Sequence, residues 1–337
     1  MTRSLLFYGW LLLSSLSHAQ TPRIIFDTDI TGDVDDVLAL AMLHNLTDRG
    51  ACELLGVTIS KQNPQTAAFV DAQNTFHGRP DLPIGVTRDE TAQKRESRYL
   101  KLADSPDYPH DIRSNDEVPE AVALLRQLLA AQPDHSVSIA SVGIASNMAN
   151  LLRSKADAHS PLEGPALIRQ KVKLLSIMAG GFKTIDDNNH FLEANVINGI
   201  PAMQMMARDW PQEVPIVWSG YEIGVSLPYP RQSIARDFDY LPHHIVKEAY
   251  LLHSGPEHDR PCWDQSSVLH AVFPDRDFFG LSQTGQVVVE DDGFTRFTLA
   301  KKGEPKLTRD RFLTMTPVQK ARVLEAMVHL TAQPPKK

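Results

Sequence analysis

Two cysteines in 337 residues are too few to build a disulfide framework. Cys52 neighbours the apolar stretch Leu54-Leu55-Gly56-Val57 and reads as a packed side chain, and spacing alone leaves open whether it pairs with Cys262. Dense Lys/Arg blocks are absent and the formal net charge is −7, so a nucleic-acid or membrane-surface role has no electrostatic support. There is no Gly/Ser-rich or Pro-rich linker and no internal repeat, which favours one large domain over residues 20–337. Also missing are a P-loop, a Gly-x-Gly-x-x-Gly turn, a Gly-x-Ser-x-Gly elbow and a His-Glu-x-x-His helix. These absences remove the nucleotide-triphosphate, dinucleotide, serine-hydrolase and zincin readings.

What is present begins with a short basic start at Arg3, an apolar run from Leu5 to Leu16, and Ser17-His18-Ala19. The run is too short to span a membrane, and small residues occupy both positions that a signal peptidase reads. Residues 1–19 are therefore expected to be a secretory signal, and the remaining chain, with net charge −8, to be exported to a periplasm or secreted, with no membrane attachment after cleavage. Hydrophobic residues make up 42% and charged residues 22%, enough apolar surface for a sizeable core.

Short β-branched runs alternate with helical spacing. Strands are expected at Arg23 to Thr28, Leu54 to Ser60, Ser136 to Val142, Lys173 to Ala179 and Val214 to Trp218. Helices are expected at Val34 to Leu46, Pro64 to His77 (with Pro64 in the first turn), Val118 to Ala131 and Asn147 to Arg153. The alternation predicts an α/β fold, an open, mostly parallel Rossmann-like sheet with helices on both faces. Residues 87–117 and 228–240 read as long polar loops, and Gln286 to Phe297 as a hairpin about Asp291-Asp292-Gly293, followed by a helix from Pro317 to Thr331. Asn45-Leu46-Thr47 is a glycosylation sequon, but on a helix expected to be buried.

The segment richest in chemistry runs from Ile24 to Leu40. Asp27, Asp29, Asp33, Asp35 and Asp36 crowd five carboxylates into ten residues between a strand and a helix. Such charges raise one another's pKa unless something positive compensates, and a helix N-terminus offers only about half a charge. A hard divalent cation with oxygen ligands, Ca²⁺ or Mg²⁺, compensates better. An EF-hand fails, because its twelfth position is Leu38 and the preceding element is a strand. A haloacid-dehalogenase-like, metal-dependent phosphatase also opens with a strand and Asp27-Thr28-Asp29, but leaves Asp35-Asp36 unexplained.

With Asp27-Thr28-Asp29, a short loop and Asp35-Asp36 before an Ala/Leu-rich helix, the chain resembles the nucleoside hydrolase family. Further stretches match in order: Gly56-Val57-Thr58-Ile59 with Asn63, Ser141 to Asn147, Met178-Ala179-Gly180-Gly181, Glu193-Ala194-Asn195 and Trp263-Asp264. The likeness covers roughly residues 23–330. It implies Ca²⁺-dependent hydrolysis of the N-glycosidic bond of ribonucleosides. On that likeness Asp29, Asp36, Asp264 and the Ser146 carbonyl hold the ion, and Asp29 takes the proton of the attacking water. Asp35, Asn63, Met178, Glu193 and Asn195 contact the nucleoside, while Asn188, with Asp187 and Asn189, lies near the 5′-hydroxyl. Asp27 stands behind these groups and fixes the loop.

Two departures follow. The opening loop is two residues longer than the shorter family form and carries Asp33 without a role. Many members have His before the late aspartate as the acid for the leaving base; here that position is Trp263, which stacks but donates no useful proton. Branches with Trp there lean to purines. None of His110, His190, His253 and His258 is singled out by its spacing as a substitute acid, and Glu222 reads equally as a pocket residue or a helix-start glutamate. The expected partner is a small-molecule nucleoside and no nucleic acid. A non-catalytic ribose- or nucleoside-binding protein of the same fold is the other alternative, and whether the chain forms a homo-oligomer stays open.

Overall fold

The computed structural model describes residues 21–89, 96–300 and 309–336, so the expected signal segment lies outside the described residues. Six parallel strands form the centre of a sheet: β1 (Arg23–Thr28), β2 (Glu53–Ile59), β3 (Ile84–Val86), β4 (Val137–Ser141), β5 (Val172–Met178) and β6 (Ile216–Ser219). Their spatial order is β3-β2-β1-β4-β5-β6, so the winding reverses between β1 and β4. In an open α/β sheet that reversal leaves a crevice beyond the strands' C-terminal ends, where ligands bind.

Two short strands, β7 (Pro228–Tyr229) and β8 (Arg260–Pro261), pair as a separate antiparallel ribbon. The main sheet continues past β6 with β9 (Gly280–Leu281), β10 (Gly285–Val289), β11 (Thr295–Leu299) and β12 (Asp310–Thr314). Of these, β12 runs parallel to β6, and the other three pair antiparallel at that edge. The expected hairpin is β10–β11, with Gly293 at φ 93° in its turn, where a side chain would be strained.

The central strands are buried on both faces, which explains their near-continuous apolar sequences. In β1, Ile24 and Phe26 join one core with the helix Asp35–Asp48, and Ile25 joins the opposite core with the helices 121–131 and 146–153. Helix Asp35–Asp48 packs against helices 263–272 and 317–331, and is buried nearly all round. Asn45 lies within it, fully buried, and its Nδ2 donates to the carbonyls of Leu330 and Thr331. The sequon is thus structural. Helix Pro317–Thr331 starts where expected, with a Thr316/Gln319 capping box and proline at its first position.

Several expectations need correction. The second helix begins at Thr66 rather than Pro64, because Asn63 Oδ1 accepts from Gln65 N and forms a turn ahead of it. Strands β3 and β12 and the helices 164–171, 200–209 and 245–254 were not legible; each is short and shows the core only a few apolar positions. The stretch 228–240 is not a loop throughout, since it contains β7 and the helix Arg231–Arg236. Within 87–117, the 3₁₀ turns Leu100–Asp104 and Asn115–Glu117 are ordered. Cys52 and Cys262 are both free and buried. Among the described residues no helix is long and apolar enough to cross a membrane.

Candidate active site

A cavity of about 300 Å³ opens at the switch point between β1 and β4. One end is acidic. Asp35 and Asp36 open the helix after β1, and Asp264 stands in the first turn of helix Trp263–Val272, so two helix N-termini converge there. One oxygen of each of these three buried carboxylates lies within 4.8 Å of the others. The Asp264 amide donates to Asp35 Oδ2 at 3.2 Å, and the Thr28 hydroxyl donates to Asp36 Oδ1.

Burial, and then the neighbouring carboxylates, push Asp35, Asp36 and Asp264 well above the usual carboxylate range. As a trianion this cluster is unfavourable; it requires either protons or a cation. Three buried, hard oxygen donors at this spacing fit a divalent ion such as Ca²⁺ or Mg²⁺.

Asp29 faces the same cavity, and its Oδ2 pairs with the ammonium of Lys61, itself only 4% exposed. Gly143 packs against the Asp29 backbone so closely that a Cβ there would lie 2.5 Å from Asp29 N. Behind it Asp27 is fully buried and accepts from Thr58 Oγ1 (2.7 Å), Asn147 Nδ2 (2.8 Å) and Ser141 Oγ (2.9 Å). Burial lifts its pKa to about 6 against these hydrogen bonds. A carboxylate so enclosed locks β1 to β2 and β4 and cannot reach a substrate. That removes the physical basis for the phosphatase alternative, which needs Asp27 as an exposed nucleophile.

The other end of the cavity is aromatic. Trp263, Tyr221 and Phe191 line it, with ring centroids 5.4 Å apart for Tyr221–Trp263 and 4.4 Å for Phe191–Tyr221. Trp263 Nε1 donates to the Tyr221 carbonyl at 3.0 Å, and Gly224 leaves no room for a Cβ beside the indole. Met178, Glu193 and Asn195 line the cavity as well. Glu193 caps the short helix Ala194–Ile197, accepting from the amides of Asn195 (2.8 Å), Gly180 (3.1 Å) and Val196 (3.2 Å), and burial still raises it to about 7. Asn195 Nδ2 donates to the carbonyls of Val142 (2.9 Å) and Met178 (3.1 Å), which leaves the amide oxygen to accept from a ligand.

Three residues expected in the site do not line this cavity. Asn63 lines a different cavity with Arg88 and Asn115, and its side-chain oxygen is used in the turn before helix Thr66–Phe76. Ser146 lines a third cavity with Ile144 and Asn150, whereas Val142, not Ser146, borders the acidic one. Of the expected ligand set, Asp36 and Asp264 fall in the carboxylate cluster, which Asp35 completes, and Asp29 lines the same cavity. Asn188 follows Asp186 and Asp187, which hold positive φ, and is exposed, its Oδ1 accepting from His190 N at 2.8 Å within its own loop. Glu222 is half-buried, accepts from the Phe182 amide (3.3 Å), and does not line the cavity.

Two cavity residues escaped the sequence reading. Lys61 follows β2 in a segment with no basic motif, and only the β1–β2 register brings it beside Asp29. Arg260, on β8, reaches into the cavity with its guanidinium carbon 5.3 Å from the Trp263 ring centroid, and forms a two-point pair with Asp33. No histidine lines the cavity among the described residues.

The profile described as "Inosine-uridine preferring nucleoside hydrolase" matches residues 24–296. The chain belongs to this nucleoside hydrolase family. Its fold is that of solved nucleoside hydrolases: a plant enzyme matches at TM-score 0.70 and 18% identity, covering 93% of this chain and all of the other. The purine-preferring ribonucleoside hydrolase from Gardnerella vaginalis matches at TM-score 0.68 and 18% identity, covering 92% and 98%. The type III effector XopQ, solved with adenosine diphosphate ribose, matches at TM-score 0.66 and 15% identity, covering 93% and 95%. No curated protein matches.

Proposed function

We propose that this nucleoside hydrolase cleaves ribonucleosides to free base and ribose, with a leaning to purines and with Ca²⁺ as its cation. The observation that carries the reading is the meeting, in one cavity, of the buried trio Asp35, Asp36 and Asp264 with the aromatic wall of Phe191, Tyr221 and Trp263. When bound, a divalent ion supplies charge that polarises water and eases its deprotonation. Asp35, Asp36 and Asp264 are the residues that would hold it.

The chain's own groups divide the remaining work. As the N-glycosidic bond stretches, positive charge grows on the ribosyl ring, and the carboxylates around it favour that state over the ground state. Asn195 and Glu193 border the sugar end, where ribose hydroxyls orient the anomeric carbon. Asp29, also in the cavity wall, accepts the proton of the attacking water. A purine offers two fused rings to Trp263 and Tyr221, and the purine-preferring enzyme of the same fold is consistent with that choice. Export follows from the amino-terminal segment, with its Arg3 start and apolar run.

The test is release of reducing sugar from a panel of inosine, adenosine, guanosine and uridine, with and without EDTA. Purine nucleosides should be cleaved fastest and EDTA should stop the reaction. No sugar from any nucleoside under saturating calcium removes the catalytic reading. A second reading, ligand binding without hydrolysis, is favoured by one observation: the Lys61 ammonium engages Asp29, the group that must receive a proton. Calorimetric nucleoside binding with no sugar release would establish it.

A further inference from the structure

Resting on the nucleosidase reading, we propose that Arg260, anchored by Asp33, is the catalytic residue that stabilises the departing base, in place of a histidine acid. Three observations converge on it.

The first is location. Arg260 lines the cavity and stands against Trp263, the aromatic end where a base packs, while no histidine lines the cavity among the described residues. His253 is close in the chain but spends its Nδ1 on Ser254 Oγ at 2.9 Å.

The second is geometry. Arg260 Nε donates to Asp33 Oδ1 at 2.8 Å, and one terminal nitrogen pairs with Asp33 Oδ2. That two-point pair occupies one edge of the guanidinium, and the remaining terminal nitrogen makes no hydrogen bond among the described residues. A fork held on one edge presents its other edge in a fixed orientation. The anchor is itself braced, since Tyr99 OH donates to the Asp33 carbonyl at 2.5 Å. Behind the arginine, β8 is pinned by Tyr250 OH, which accepts from Arg260 N at 3.0 Å and donates to the His258 carbonyl.

The third is the sequence. Asp33 is the carboxylate delivered by the longer opening loop, and among the described residues its salt bridge is to Arg260. The loop and the late arginine therefore form one device.

The chemistry balances without a protein acid. The C1′–N bond breaks heterolytically and its electron pair passes to the base nitrogen. Water oxygen bonds to C1′ and gives its proton to Asp29. The base leaves as an anion stabilised by the guanidinium hydrogen bond and takes its proton from solvent. Arginine stays charged throughout, so it acts as a donor to developing negative charge and not as an acid.

The experiment compares inosine with p-nitrophenyl β-D-ribofuranoside, whose leaving group needs no help. Arg260→Met is expected to lower kcat on inosine about 100-fold and to leave the p-nitrophenyl substrate unchanged. Arg260→Lys should fall between, and Asp33→Asn should reproduce the same leaving-group dependence in weaker form, which a merely structural anchor would not. Circular dichroism checks folding, and the retained p-nitrophenyl activity is itself proof of a folded site. Equal loss on both substrates, loss through KM alone, or no loss on inosine overturns the assignment. A wild type that cleaves neither substrate removes the nucleosidase reading and this proposal together.

Discussion

Lys61 and Asp29 form an ion pair in the wall of the acidic cavity, with side-chain exposures of 4% and 12%. The lysine is the cation nearest the group expected to handle the attacking water, so it sets how much negative charge the cavity offers to a metal. Together the cavity shows six carboxylates against two cations among the described residues, and a divalent ion would halve the excess.

Replacing Lys61 with Met frees Asp29 and adds one net negative charge beside the trio. At an effective dielectric near 20, two unit charges about 4 Å apart interact by about 4 kcal/mol. Calcium affinity measured by calorimetry is expected to rise at least about tenfold. Unchanged or weaker binding would show that the ammonium does not oppose the ion.

Asp264→Asn should abolish calcium binding by removing one of three ligands, yet raise Tm in EDTA, because the repulsion that lifts Asp35 and Asp36 is relieved. A lower Tm in EDTA would mean that the trio is held by something other than a cation.

Asp29→Asn leaves shape unchanged and removes a proton acceptor. Turnover should fall by about 10²–10⁴-fold, and Tm should fall too, because the buried Lys61 ammonium loses its carboxylate partner. Normal turnover would strip Asp29 of that role.

Glu193 carries a pH signature. Its folded pKa, about 7, exceeds the ordinary 4.5, so the folded state binds more protons than the unfolded one between those values. Stability contributed by this group is present below 4.5 and is lost as pH rises towards 7. Glu193→Gln removes the slope. Chemical denaturation should show the variant gaining on the wild type as pH rises through that window, and parallel pH profiles would refute it.

Gly224→Ala introduces a methyl group against the Trp263 indole. The ring must shift, and stability should drop by about 1–3 kcal/mol. KM for a purine nucleoside should rise more than KM for uridine if the indole carries the base preference.

The fold class was legible because parallel strands buried on both faces must be short apolar runs, as in Ile24-Ile25-Phe26 and Ile139-Ala140, and amphipathic or wholly apolar helices must alternate with them. The acidic turn was legible for an equally local reason: five carboxylates within ten residues need compensation wherever they fold. By themselves these features determined a doubly wound sheet with a cation-seeking loop at the end of its first strand, and matching motifs pointed to the family.

The partners of those carboxylates were decided only in three dimensions. Arg260 lies 227 residues from Asp33, and Lys61 reaches Asp29 only because β2 pairs beside β1 in parallel register. Asp29 lies near the trio in sequence, and the fold adds the Lys61 ammonium as its partner; Asn63 matches a motif, and its side-chain oxygen also accepts in the turn before helix Thr66–Phe76. Local pattern reports what a segment needs, such as burial, a cap or a counter-charge. Which distant side chain meets that need depends on strand order and helix crossing, and those are set by the packing of the whole chain.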